Sequence, residues 1–292
     1  VSAESAPARP LLVFLNEVAG GRKLLEAVRE RAGRVPFVAV AAPQNQPAVG
    51  QLIDTGELHE AARARVEVTM SILAEYEIES VGEVMDRDPA LAMDDAVRAH
   101  EPAELLLSCR SGTRFGITRK DLVEWAKNRF EPDLAVTHIP VRVQDDSISW
   151  EKSHTLVVAT QTVAAPDLIG RLKERAAGHP HRYTIICPRA GGVSEAEIVR
   201  DLASTLAELY RADIDATGQP MSPDPFHAVC NAIEHYRIDE VLISTFAGES
   251  SRWLDEDLVG RTREITDKPV EHLEVGRPAE AVAAAVAGGE ES

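Results

Sequence analysis

Residues 85–123 align without a gap on residues 221–259, and 12 of the 39 positions are identical. Unrelated sequence of this composition gives roughly one identity in fifteen positions. The identities are Met85/Met221, Asp88-Pro89/Asp224-Pro225, Ala92/Ala228, Ala96/Ala232, Glu104/Glu240, Leu106/Leu242, Ser108/Ser244, Gly112/Gly248 and Asp121-Leu122-Val123/Asp257-Leu258-Val259. A second block sets residues 12–33 on 156–177, with Leu12/Leu156, Val13/Val157, Leu24/Leu168, Glu30/Glu174, Arg31/Arg175 and Ala32/Ala176 identical. Val136 and His138 likewise answer Val270 and His272. The chain is a tandem duplication. Two copies are too few to stack as a solenoid, so each must fold as a domain. Domain limits of 10–143 and 154–276 follow, with a polar linker at 144–153 and an Ala-, Gly- and Glu-rich tail at 277–292 that is expected to be disordered. The pair is expected to pack as an internal pseudo-dimer, with further homo-oligomers open.

Periodicity supplies the elements of the first copy. Leu11–Leu15 is a short strand with no polar face, and Leu24, Leu25, Val28 and Ala32 form one apolar helical stripe. Residues 37–42 read as a second strand. A helix from about Glu57 to Tyr76, buried through Val66, Met70, Leu73 and Tyr76, leads to a strand at 78–84. Asp88 is an N-cap with Pro89 at the first helical position, and that helix buries Ala92, Ala96 and Val97. A strand at 104–108, a helix from Arg119 to about Phe130 and a strand at 134–140 complete the copy. Strands alternating with helices imply βαβ units. The predicted fold class is therefore α/β, with two tandem open parallel five-stranded sheets and helices on both faces.

The loop after the fourth strand is chemically distinct. Residues 108–120 combine Ser108, Ser111, Gly112, Thr113, Gly116 and Thr118 with Arg110, Arg114, Arg119 and Lys120, in a chain of net charge -17. A small-residue loop that opens a helix at Arg119 would offer backbone N–H groups to an anion. Lys120 in the first turn would oppose the helix dipole unless an anion lay nearby. The acidic balance of the whole chain opposes nucleic acid and anionic membranes as partners. A small phosphate-bearing ligand or a protein remains as the expected partner. Cys109, Cys187 and Cys230 show neither pairing nor metal spacing, which fits buried thiols in a reducing compartment. With no apolar leader and no run of membrane-spanning length, the expected location is cytoplasmic.

The whole pattern resembles a tandem universal stress protein. The resemblance is carried by five strands and four helices per copy, by the Gly/Ser loop after the fourth strand, and by residues 240–253, followed by a helix and Lys268-Pro269-Val270. It implies an adenine-nucleotide alpha-hydrolase-like fold with strand order 3-2-1-4-5 and a crevice between strands 1 and 4. Ligands of doubly wound sheets lie at the carboxyl ends of strands where the order reverses, which selects the same loops. Nucleotide-binding members carry Gly-x2-Gly-x9-Gly-Ser/Thr after strand 4 and an Asp after strand 1. This sequence departs at each point. Gly112 and Gly116 are one residue too far apart, and Ala126-Lys127 replaces the final pair. Gly248 is followed at the right spacing by Ser251, with Gly260 one residue early. Asn16 and Thr160 replace the Asp.

The resemblance implies that ATP or AMP, if bound, would meet Asn16, Ser108, Ser111, Gly112, Thr113 and Gly116, with Arg110 and Arg114 on phosphate. The second-copy counterparts are Thr160, Ser244, Thr245, Gly248, Ser250, Ser251 and Arg252. Glu249, Asp255, Glu256 and Asp257 crowd that second loop and would repel a triphosphate. His138 and His272, entering the last strands, read as structural hydrogen-bonding residues. His227 and Cys230 lie one helical turn apart, but on different faces, and make no catalytic pair. No nucleophile, P-loop or metal motif is present. The expected function is a non-enzymatic, stress-related regulatory protein responsive to a nucleotide or other anion. The alternative is a degenerate scaffold that works through protein contacts alone.

Overall fold

The computed structural model describes residues 9–16, 19, 21–45, 55–116, 118–141, 152–189, 192–221, 223–248 and 257–276. The chain divides into two compact units, Val1–Asp146 and Ser147–Ser292. In the first, β1 (Leu11–Leu15), α1 (Arg22–Ala32), β2 (Val38–Pro43), α2 (Thr55–Ala74), β3 (Ser80–Met85), α3 (Pro89–His100) and β4 (Glu104–Cys109) follow one another. A short ribbon, β5 (Arg114–Phe115) with β6 (Lys120–Asp121), comes next, then α4 (Leu122–Phe130) and β7 (Ala135–Pro140). The second unit runs β8 (Ser153–Val158), α5 (Pro166–Gly178), β9 (His181–Pro188), α6 (Glu195–Arg211), β10 (Asp215–Met221), α7 (Pro225–His235), β11 (Glu240–Phe246), α8 (Leu258–Ile265) and β12 (Val270–Val275).

Each unit holds one five-stranded sheet, ordered β3-β2-β1-β4-β7 in the first and β10-β9-β8-β11-β12 in the second. All pairings within both sheets are parallel. Counted within each unit, both orders are 3-2-1-4-5. β1 is buried along its whole length because it is covered from both sides. Its Leu12 and Phe14 join Ala39 and Ala41 of β2 in a core with Ala92, Met93 and Ala96 of α3 and Leu122, Ala126 and Phe130 of α4. Leu11, Val13 and Leu15 alternate to the opposite face, where right-handed crossovers place α1 and α2.

The duplication shows in the capping. Asp88 Oδ1 accepts the N–H groups of Ala90 and Leu91, and Asp224 Oδ1 accepts that of His227, each just ahead of a proline. It also shows where a helix crosses the third strand of each sheet. A Cβ on Gly82 would lie 2.2 Å from Met70 Sδ and 2.3 Å from Val66 Cγ1, and one on Gly218 would lie 2.7 Å from Leu202 Cδ1. Gly82/Gly218 and Val66/Leu202 keep the offset of the longer repeat block, so the absence of a side chain in both strands is what lets α2 and α6 approach.

Two expectations are corrected. The helix after the basic loop starts at Leu122, not at Arg119. Residues 114–121 form the antiparallel β5–β6 ribbon instead, with left-handed backbone at Gly116 (φ 67°) and Arg119 (φ 49°) making its turn. On α2 the buried residues include Ala62, Arg65, Thr69 and Ile72 beside Val66 and Leu73, whereas Met70 and Tyr76 are only half-buried.

Candidate functional site

The carboxyl ends of β1 and β4 meet in the first unit. Asn16 directly follows β1 and is buried; its backbone N–H donates to Ser108 O at 2.9 Å, and Ser108 is buried too. Beyond Cys109 the chain turns at Gly112 (φ 74°), a conformation that costs a glycine little. Thr113 closes the turn, its N–H and Oγ1 both donating to Arg110 O, at 3.2 and 2.9 Å. The ribbon then projects Arg114, Arg119 and Lys120 into solvent, while Phe115 turns inward onto Trp125 of α4, ring centroids 5.5 Å apart and edge-on. Among the described residues, no carboxylate lies within ion-pair distance of Arg114, Arg119 or Lys120.

The start of α4 does not offer the N–H groups expected of it. Asp121 Oδ1 accepts the Glu124 N–H at 2.9 Å, and the Leu122 N–H donates to Thr113 O at 2.8 Å. Lys120 stands ahead of this cap rather than in the first helical turn, so its conflict with the helix dipole disappears. The positive character of the site comes from side chains and the loop backbone.

Arg65 was not among the candidate residues, and it belongs here. It is 2% exposed. Its Nη2 donates to Pro43 O, at the end of β2, at 2.7 Å and to Asn45 Oδ1 at 3.0 Å. Asn45 Nδ2 in turn donates to Asn16 Oδ1 at 3.0 Å. The signal lay in the helical spacing of Ala62, Arg65, Thr69 and Ile72, which puts an arginine on a buried stripe. An arginine is rarely fully buried without partners, so its place on such a stripe marks a polar site.

The second unit answers with hydroxyls. Thr160, also buried, donates from Oγ1 to Pro188 O at 2.7 Å, and Thr162 Oγ1 donates to Ser244 O at 3.1 Å. Thr245 Oγ1 pairs with His272 Nε2 at 2.8 Å. Gly248 has the same φ of 74° as Gly112. Ser250, Ser251 and Arg252 lie outside the described residues. Asp257 caps α8 through the Gly260 N–H.

The histidines and cysteines do not gather around either crevice. His138 Nε2 donates to Cys109 O at 3.0 Å, a bond that ties β7 to β4. His227 is exposed and Cys230 half-buried on α7. Burial pushes the Cys187 thiol up, and burial with Glu234 nearby does the same to Cys230, so neither is a ready thiolate. Among the described residues, no group of three or more His, Cys, Asp or Glu is placed to hold a metal ion. No described helix is long and apolar enough to cross a membrane.

No family model matches the chain, and no curated protein matches it in sequence. Among solved structures it aligns with a universal stress protein from Archaeoglobus fulgidus DSM 4304, over 91% of this chain and 96% of that one, at 15% identity and a TM-score of 0.34. It also aligns with histidinol dehydrogenase from Elizabethkingia anophelis, over 95% of this chain and 55% of that one, at 9% identity and a TM-score of 0.25. Scores this low add no weight to the fold, which rests on the hydrogen-bonded strand order. Each unit has the order that the resemblance implies.

Proposed function

We propose that this is a universal-stress-protein-like, non-enzymatic regulatory protein of the cytoplasm whose first unit holds a small phosphate-bearing ligand at the carboxyl ends of β1 and β4. The observation that supports this reading is the ribbon. In a chain of net charge -17, Arg114, Arg119 and Lys120 stand together on an ordered loop without a carboxylate partner among the described residues. Their clustering within the seven positions from Arg114 to Lys120 makes a local positive field on a chain of the opposite overall sign. Asn16, Ser108, Ser111, Gly112, Thr113 and Gly116 are the proposed backbone and hydroxyl contacts, with Arg110 and Arg114 on phosphate. ATP and AMP are the proposed ligands.

A second reading is favoured by the other unit. Thr160 and Thr162 spend their hydroxyl protons on carbonyl oxygens of their own unit, which leaves the buried Ser244 Oγ as a hydroxyl there without a partner among the described residues. There the protein would act as a scaffold through protein contacts. Mass spectrometry of small molecules released from the purified protein, followed by calorimetry with ATP, ADP and AMP, separates the two. A released nucleotide, or heat that vanishes in the variant Arg114→Ala with Arg119→Ala and Lys120→Ala, supports the ligand reading. Silence at millimolar ligand leaves the scaffold.

A further inference from the structure

We infer that a second copy of this chain covers the outer edge of β3, and that it does so with its own β5–β6 ribbon. The inference stands apart from the phosphate reading, and a phosphate on the same cations would compete with it. Among the described residues, β3 pairs with β2 alone, so the N–H and C=O groups along its other side meet no strand. Val81 is 44% exposed there, and Gly82 beside it is exposed too. Edge strands are ordinarily guarded by a proline, a lysine or a cover. β10, the counterpart in the second unit, contains Pro220 and is the more deeply buried of the two. β3 contains neither proline nor lysine.

Charge selects the occupant. Positions 66–86 hold six carboxylates, Glu67, Glu75, Glu77, Glu79, Glu83 and Asp86, and no lysine or arginine. Arg63 pairs with Glu67 and His100 with Glu83. Glu77, Glu79 and Asp86 are exposed and have no ion pair among the described residues. The ribbon is the complement in both respects. Its two strands pair with each other and leave their outer edges open, and its exposed Arg114, Arg119 and Lys120 carry the opposite sign. Extended backbone laid on a sheet edge gains main-chain hydrogen bonds, while opposite charges fix register and speed the encounter. The ribbon cannot reach β3 of its own sheet. Three strand spacings, about 14 Å, separate β3 from β4. The Leu122 N–H bond to Thr113 O and the Phe115–Trp125 contact pin the ribbon to α4. Two copies are therefore needed, and because each offers a different surface the contact propagates head to tail. The second unit has neither half. Positions 202–222 hold three carboxylates, of which Glu208 and Asp215 pair with Lys173 and Lys152, and Glu249, Asp255, Glu256 and Asp257 make the loop after β11 acidic.

The test is sedimentation velocity on the full chain in phosphate-free buffer. At low salt the mean sedimenting mass should at least double as the concentration rises. High salt should return it to that of a single chain, because exposed charges make the contact. Two variants each remove one half. Arg114→Ala with Arg119→Ala and Lys120→Ala discharges the ribbon, and Glu77→Gln with Glu79→Gln and Val81→Lys discharges the edge and guards it with a lysine. Either variant alone should remain a single chain. Mixed in equal amounts, they should form a pair that grows no further, since only the edge of the first and the ribbon of the second still match. That pair also shows that both variants are folded. A parent that stays a single chain at low salt, a variant that assembles like the parent, or a mixture that forms no pair overturns the inference.

Discussion

Arg31 Nε donates to Glu104 Oε2 at 2.8 Å, joining the last turn of α1 to the first residue of β4. The repeat preserves the pair, since Arg175 Nη1 donates to Glu240 Oε1 at 2.5 Å in the second unit. Burial by itself would raise the Glu104 carboxyl. The hydrogen bonds from Arg31 and Thr137, with the charges of Arg31 and Arg34, outweigh it and hold the group below its ordinary value of 4.5. A depressed carboxyl contributes stability above its unfolded pKa, and that contribution is lost as the pH falls through the folded one. Glu104→Gln should cost about 1–2 kcal/mol at neutral pH, in line with a charge-assisted hydrogen bond at a partly buried site. It should also flatten the acid limb of stability below about pH 4.5. Urea denaturation across that range measures both effects.

Gly82 and Gly218 give the second prediction. Gly82→Ala places a methyl group 2.2 Å from Met70 Sδ and 2.3 Å from Val66 Cγ1. Methionine can move, but valine is stiff at χ1. The expected cost is about 1–3 kcal/mol. Adding Val66→Ala should recover part of it, because the second substitution removes the stiffer of the two clashing atoms. At Gly218 the backbone oxygen of Ile185 lies 3.1 Å from the added Cβ, so Gly218→Ala should be rescued less by Leu202→Ala. Thermal unfolding of the two single and two double variants checks the contrast. A Gly82→Ala protein as stable as the parent would show that α2 does not depend on this contact.

His154 makes the third. It is buried, with Nδ1–H donating to Arg237 O at 2.7 Å and Nε2 meeting Thr184 Oγ1 at 2.8 Å. Burial, and after it the charge of Arg182, lowers its pKa from 6.5 to about 4. Between these values the unfolded chain takes up a proton that the folded one refuses, so the His154 contribution to stability falls as the pH drops from 6.5 to about 4 and changes no further below. The loss amounts to about 3 kcal/mol, from roughly 1.4 kcal/mol per unit. Imidazole NMR titration gives the folded pKa directly. In His154→Gln the slope between about pH 6.5 and 5, above the range where Glu104 titrates, should be reduced.

The sheet was legible because its signals are redundant. Leu105, Leu106 and Leu107 leave no polar face for water, and the Asp-Pro pair repeats at 88 and 224 with the same capping geometry. The start of α4 was not legible, because two-residue strands leave no periodicity. The ribbon at 114–121 depends on positive φ at Gly116 and Arg119, and only the glycine announces that in sequence. At the site, the loop residues and Asn16 could be named from their positions after β4 and β1. Arg65 left only the weak signal of an arginine on the stripe of Ala62, Thr69 and Ile72, and Asn45 left none, since a polar residue reads as solvated until the packing shows what covers it. Arg65, Asn45 and Asn16 are remote in sequence and are brought together by α2 and by the parallel pairing of β1 with β2.

The last prediction separates charge from rigidity in the basic ribbon. Phe115 holds β5 against Trp125, which packs edge-on against Phe130 at 5.8 Å. Removing that ring costs an edge-to-face contact of about 1 kcal/mol and leaves the net charge unchanged. If the ribbon cradles a phosphate, Phe115→Ala should weaken AMP about fivefold, because the cations must then be ordered at the moment of binding. Trp125 fluorescence should shift in the same variant, read in a background of Trp150→Phe and Trp253→Phe. Arg114→Ala with Arg119→Ala should do the reverse, lowering AMP affinity and its salt dependence while leaving Trp125 emission in place. A Phe115→Ala protein whose fluorescence moves but whose AMP affinity does not would show that the ligand, wherever it sits, does not use the ribbon.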